Sequence, residues 1–368
     1  MESEIEKFKE WFEKRHERNR ELKKRGQKFI ACFYGLVPKE LIHAAGLIPI
    51  QLVEDRNLRF DERSGLLPYL CGMSRNLTGQ LYSGVYDYVD GAMVATVCDT
   101  NRRVFSIWAH HKIFPNSWVV RIPATATDLA VRYYAKEFRR LARELERISG
   151  VRVTEEGLHE SILKFNENRK LFQRLYDVLP KMEIPAKDGV YIFGSALVTP
   201  VEEHNALMKK FLDSVSTFPK RDGKIRIMLC AINLNMALSV IGLAERYGAI
   251  VVTNDFTHNA RYGSEPIPWG EDPFEALARG YLGQVPAPGV YSYEARANSI
   301  REKMEKAGAQ GMIYLVQLYC DAYALEYAIL KERFDRWNLR HMKLEAEDTA
   351  SSIEQLNVRI QSFVESLL

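Results

Sequence analysis

Cysteine is scarce and scattered in this chain. Its 368 residues include five, Cys32, Cys71, Cys98, Cys230 and Cys320, and no two stand as a CxxC pair. Zinc ribbons and thioredoxin-type redox sites therefore have no local signature. An odd number of widely spaced cysteines in a chain this long is not a disulfide framework either. Nucleotide signatures are missing as well: there is no P-loop motif (GxxxxGK followed by Ser or Thr), and no GxGxxG follows a strand-like run. No stretch approaches the ~18 apolar residues that cross a bilayer. The start, "MESEIEKFKEWFEKRHERNRELKKRG", is densely charged and lacks the apolar core of a signal peptide. With a formal net charge of only +3, there is no electrostatic case for nucleic acid or a membrane surface. His43, the His110-His111 pair, His159, His204, His258 and His341 show no HExxH-like spacing and read as satisfied core or surface residues.

What is present is the composition of an ordinary globular protein, 46% hydrophobic and 27% charged. The chain is expected in the cytoplasm, and at ~150 residues per domain it has room for two. "KFIACFYG", "LIPIQLV", "GAMVATVC" and "WVVRIP" read as strands alternating with helices, among them "PKELIHAAG" and a stretch around Leu77–Tyr86. The spacing then changes to two long helices, "DLAVRYYAKEFRRLARELERISG" and the Thr154-capped "TEEGLHESILKFNENRKLFQRLYDVL". Alternation resumes with "KIRIMLC", "AIVVTNDF", "GMIYLVQLYC" and "RHMKLEAE" as strands, before a C-terminal helix, "SSIEQLNVRIQSFVESLL". Such alternation implies α/β architecture with largely parallel, doubly wound sheets. The expected division is a first α/β domain at 1–190, including the N-terminal helix and helical connection, and a second at 191–368.

Two stretches echo each other: "GAMVATVCDT" and "GMIYLVQLYCDA" each run from Gly through one buried strand's length into Cys-Asp. Cys98 and Cys320 thus fall at the carboxyl ends of strands, where open α/β sheets bind ligands. Each also precedes a helix, whose N-terminal N–H groups favour a thiolate or an anionic cluster. Cys71, ahead of the neighbouring helix, reaches the same region. Spacing alone is equally compatible with buried structural thiols. The polar, aromatic loop "NDFTHNARYGSEPIPWGEDP" offers Arg261 and Tyr262 as candidates for substrate contact.

Four segments together resemble one family. "FYGLVPKELIHAAGLIPIQL", "YDYVDGAMVATVCD", "LYCDAYALEYAILK" and "IEQLNVRIQSFVE" are similar, in order and across nearly the whole chain, to the hallmarks of the 2-hydroxyacyl-CoA dehydratases and ATP-dependent benzoyl-CoA reductases. The resemblance implies two Rossmann-like, doubly wound parallel-sheet domains with a helical connection. It also implies a 4Fe–4S cluster in the crevice between them, held by Cys71, Cys98 and Cys320. Three thiolates would leave one iron open to a further ligand, where four would saturate the cluster. Cys32 and Cys230 lie within strand runs and match no ligand motif. Asp99 and Asp321 are expected to cap the following helices rather than bind iron.

"FKEWFEKRH", "FSIWAHH" and "YYAKEFRRLARELE" are most similar to the shorter cluster-carrying subunit of the reductase branch. That branch implies low-potential reduction of an aromatic acyl-CoA to the cyclic diene, with a paralogous cluster-carrying subunit or a second copy as partner. Lacking a P-loop, the chain would rely on a separate ATP-hydrolysing activator protein. The alternatives are a dehydratase subunit working through a ketyl radical, a non-catalytic electron-relay subunit, and a metal-free α/β binding protein with incidental thiols. Three positions depart from the family pattern: Val358 before Arg359, Leu318 ahead of the third Cys-Asp, and Gly35, where a Ser or Thr often faces substrate.

Overall fold

The computed structural model describes residues 2–55, 69–220, 224–256, 265–270, 272–288, 290–347 and 349–368. The first half runs α1 (Glu2–Glu13), α2 (Arg15–Lys24), β1 (Phe29–Phe33), α3 (Lys39–Ala44), β2 (Ile48–Gln51), α4 (Gly72–Tyr82), β3 (Gly91–Ala95), α5 (Asp99–His110) and β4 (Ser117–Val120). Four helices connect the halves: α6 (Asp128–Ser149), α7 (Glu155–Val178), α8 (Ala186–Ala196) and α9 (Val201–Ser214). The second half runs β5 (Ile225–Ala231), α10 (Leu234–Arg246), β6 (Ala249–Phe256), α11 (Pro273–Gly283), α12 (Tyr293–Ala307), β7 (Gly311–Gln317), α13 (Asp321–Arg336) and β8 (His341–Ala346). Two short helices, α14 (Ala350–Glu354) and α15 (Asn357–Ser366), end it.

Both sheets are four-stranded and wholly parallel, ordered β2-β1-β3-β4 and β6-β5-β7-β8. The halves therefore repeat one topology. In each, the chain leaves the first strand for one edge, then crosses back to the other side of that strand. Right-handed crossovers put the two connections on opposite faces. That reversal makes a switch point between β1 and β3 and another between β5 and β7.

The central strands are apolar because helices cover both faces. Every residue of β1, β3 and β7 is buried. Side chains alternate between two cores: Met228, Cys230, Met312, Tyr314 and Val316 join the first sheet's core, while Ile227, Leu229, Ile313 and Leu315 face the other. Pro49 is tolerated in β2 because β2 is an edge strand. The long helices carry the punctuation read in the sequence. Thr127 and Thr154 accept N–H bonds from Ala130 and Gly157, and Gly150 ends α6 at φ 77°.

Three differences stand out. The helix expected around Leu77–Tyr86 begins at Gly72, directly after Cys71. Helices α8, α9 and α11 had no counterpart in the sequence reading. The C-terminal helix is two pieces, broken between Glu354 and Asn357. Among the described residues no helix is long and apolar enough to cross a membrane.

Candidate functional site

Each motif cysteine is the residue immediately before a helix: Cys71 before α4, Cys98 before α5 and Cys320 before α13. Cys98 and Cys320 follow β3 and β7, the strands at the two switch points. The first turns supply N–H groups that no intrahelical carbonyl can take. Asn101 N–H donates to Cys98 Sγ at 3.3 Å. Backbone N–H groups of Met73 and Ser74 beside Cys71, and of Tyr323 beside Cys320, pull those thiols towards the charged form. All three sulfurs thus stand at helix N-termini, a setting that favours negative charge on them.

The thiols approach one another across the crevice: Cys71, from the first lobe, donates to the Oε1 of Gln317 in the second at 3.8 Å, and Cys71 and Cys320 are near enough to perturb each other's ionisation. The neighbouring Cys320 thiol lowers Cys71 below its ordinary range, and Cys71 raises Cys320 well above it, so the two titrate as a pair. Cys98 is raised, by burial first and also by the Cys71 charge, and Cys98 in turn acts on Cys320. Cys71 and Cys320 are 5% and 7% exposed, so the pair is largely buried with a small opening to solvent. Cys32 and Cys230 differ: both are fully buried in strands, and burial lifts Cys32 to about 12 and Cys230 well above its ordinary value. Neither is a thiolate.

Among the described residues, no group of three or more His, Cys, Asp or Glu side chains could hold one metal ion. The donor set suits a polynuclear group instead, because in such a group each thiolate binds a different iron and the ligands stand farther apart than around one ion. Carboxylates do not compete. The expected Asp99 cap is replaced by Cys98, whose sulfur takes the capping bond, while Asp99 is exposed and pairs with Arg102 at 2.7 Å and with Arg103. Cys320 likewise holds the cap position that Asp321 was expected to fill, and Asp321 is exposed.

Gly35 lines a small cavity of about 20 Å³ with Lys39, Glu40, Phe165, Arg169, Tyr281 and Gln284. The charged lining was not foreseen. Glu40 is fully buried, paired with Arg169, and accepts the Tyr281 hydroxyl at 2.7 Å. Burial lowers the Lys39 ammonium to about 8. Gln284 also borders a wider groove, about 730 Å³, whose walls include Tyr176, Arg279 and Lys306. Arg261 and Tyr262, like His258, lie outside the described residues. The histidines His43, His159, His204 and His341 all have hydrogen-bond partners, as expected of structural residues.

Two further polar side chains tie the helix ends together. Gln317 reaches from the end of β7 to the start of α4, and Asn101 Oδ1 accepts from Ser74 Oγ at 3.4 Å, joining α5 to α4. Their sequence signal was slight: a glutamine ending an apolar strand and an asparagine two residues after Cys-Asp.

Paired parallel sheets with thiols at both switch points define a two-lobed α/β protein whose site lies between the lobes. The chain belongs to the family described as "2-hydroxyglutaryl-CoA dehydratase, D-component", whose profile matches residues 34–367. It is 26% identical over 353 residues to a benzoyl-CoA reductase subunit of Thauera aromatica, covering 93% of this chain and 91% of that one. The (R)-phenyllactyl-CoA dehydratase beta subunit of Clostridium sporogenes is 24% identical, covering 93% and 92%. The (R)-2-hydroxyglutaryl-CoA dehydratase subunit beta of Acidaminococcus fermentans is also 24% identical, covering 94% of each. These relatives are named as subunits of reductases and dehydratases, which supports an enzyme-related role beside a partner subunit.

Proposed function

We propose that this chain is the iron–sulfur subunit of an ATP-dependent benzoyl-CoA reductase-type enzyme, with Cys71, Cys98 and Cys320 holding a 4Fe–4S cluster. One observation carries the reading: Cys71, Cys98 and Cys320 all stand at helix N-termini, and Gln317, three residues before Cys320, meets Cys71 across the crevice at 3.8 Å. The likeness to the benzoyl-CoA reductase subunit of Thauera aromatica supports the reductase branch. When bound, the cluster would supply low-potential electrons and, with three protein thiolates, one iron open to a further ligand.

The chain's own residues do the rest. Helix-end N–H groups stabilise the anionic sulfurs, and burial of Cys71 and Cys320 limits the access of water to them. Gly35, without a side chain, faces a small charged cavity at the carboxyl end of β1, walled by Lys39 and the Glu40–Arg169 pair. The wider groove beyond Gln284 has room for the extended CoA arm. A paralogous subunit or second copy completes the enzyme, and a separate ATP-hydrolysing activator drives the electron. A dehydratase subunit is the second reading, favoured by the family's description and by the beta-subunit relatives.

The test is iron and acid-labile sulfide per chain, with a Mössbauer spectrum, on anaerobically purified protein. About four irons in a cubane are expected, lost or degraded in Cys71→Ser, Cys98→Ser and Cys320→Ser but not in Cys230→Ser. No iron in any sample overturns the reading. With partner and activator added, turnover of benzoyl-CoA against a 2-hydroxyacyl-CoA separates the two branches.

A further inference from the structure

Gln317 touches both sides of the thiol pair. It closes β7, is 2% exposed, and its carbonyl accepts the Cys320 N–H at 3.0 Å. Its side chain crosses the crevice, where Oε1 accepts the Met73 N–H at 3.2 Å and lies 3.8 Å from Cys71 Sγ. The Met73 bond fixes which way the amide faces, because a backbone N–H can be satisfied only by the oxygen end. The nitrogen end therefore lies at the start of α4. A Cβ on Gly72 would stand 2.7 Å from Nε2, so only glycine leaves the amide its place. A polar side chain is otherwise a poor ending for a strand whose preceding residues are all apolar. One residue thus grips the backbone beside two thiols that belong to different lobes.

We propose that Gln317 is a positioning residue that sets the span from Cys71 to Cys320: its main-chain carbonyl holds the Cys320 N–H, while its side-chain oxygen holds the Met73 N–H and accepts from the Cys71 thiol. This role stands on the protein alone, whether or not a cluster is bound.

Gln317→Leu and Gln317→Glu test this. Leucine removes the acceptor for Met73 and Cys71, whereas glutamate keeps it. The span is read in metal-free full-length protein carrying Cys98→Ser, by a bifunctional bimane that fluoresces only after joining two thiols; Cys71 and Cys320 keep a small opening to solvent, where Cys32 and Cys230 have none. Cross-linking is expected to fall several-fold in Gln317→Leu and to return within about twofold of the parent in Gln317→Glu, at unchanged circular dichroism. Equal cross-linking in all three overturns the proposal. If the parent binds no iron the cluster reading fails, and the cross-linking still decides the span.

Discussion

The Arg296 guanidinium of α12 is sealed against the Asp255 carboxylate at the end of β6, with side-chain exposures of 2% and 0%. Lys303 Nζ reaches the same carboxylate at 2.7 Å, and Glu326 of α13 accepts from Arg296 Nε at 3.2 Å and from the Tyr314 hydroxyl. This network underlies the wall that carries Cys320: Tyr323, in the first turn of α13, packs on Tyr314 with ring centroids 5.3 Å apart. Asp255→Ala would leave Arg296 buried without its main counter-charge. A loss of roughly 3–5 kcal/mol is expected, measured by denaturant unfolding. Burial by itself would raise the Asp255 carboxyl, but Arg296 and Lys303 outweigh it and hold the group below the usual range. Its contribution is therefore present above the unfolded pKa and is lost as pH falls through the folded one. The variant should show a correspondingly weaker loss of stability in acid below about pH 4.

A second acid dependence comes from His204. Its Nδ1 accepts from Asn168 at 3.0 Å and its Nε2–H donates to the Ile192 carbonyl at 3.2 Å, which uses both nitrogens of the neutral ring. Burial lowers its pKa to about 4. The unfolded chain takes up this proton near the ordinary ~6.5, so between these values the unfolded state binds more protons and stability falls as pH falls. The expected loss is roughly 3 kcal/mol from pH 7 to pH 4. Replacing His204 by Leu should flatten that part of the stability-against-pH curve, at a cost at pH 7 from the hydrogen bonds lost to Asn168 and the Ile192 carbonyl. An unchanged slope would assign the acid sensitivity elsewhere.

The parallel sheets were legible because "KFIACFYG", "GAMVATVC", "KIRIMLC" and "GMIYLVQLYC" are apolar on both faces for one strand's length, a pattern that helix-covered strands require. Helix α8 was not. "AKDGVYIFGSA" contains two glycines and several β-branched or aromatic residues, so its propensity is poor, and it is helical because α1 packs against it. The cysteines could be placed because each precedes a helix at a strand's end, which local sequence encodes. Gln317 could not, since its partners Met73 and Cys71 lie on the other lobe and nothing in the local pattern points to them. The Asp-cap expectation failed for a related reason: Asp and Cys are neighbours, and only the chain's path decides which enters the cap position.

Two glycines of α8 make a paired test of that packing. A Cβ at Gly194 would lie 2.7 Å from the Phe12 ring of α1, whereas at Gly189 the nearest atom is Leu179 Cδ2 at 3.9 Å. Alanine adds helix propensity at both positions. Gly189→Ala should therefore raise stability by about 0.5–1 kcal/mol. Gly194→Ala should lower it by about 1–3 kcal/mol through overpacking, with earlier proteolytic release of α1. Equal effects on the melting temperature would mean that α1 is not seated on α8 in solution.

Cys98 has two separable jobs, and two substitutions distinguish them. Its sulfur accepts the Asn101 N–H, which caps α5 whether or not a metal is present. A serine hydroxyl can make the same bond and an alanine cannot. In metal-free protein, Cys98→Ala should lose about 1 kcal/mol relative to Cys98→Ser, which should stay close to the parent. In iron-loaded protein, both should lose iron to a similar degree, because neither supplies the thiolate that clusters require. Matching stabilities with matching iron loss would remove the cap from Cys98. A stability gap with undiminished iron in both variants would remove Cys98 from the ligand set and leave it a capping residue alone.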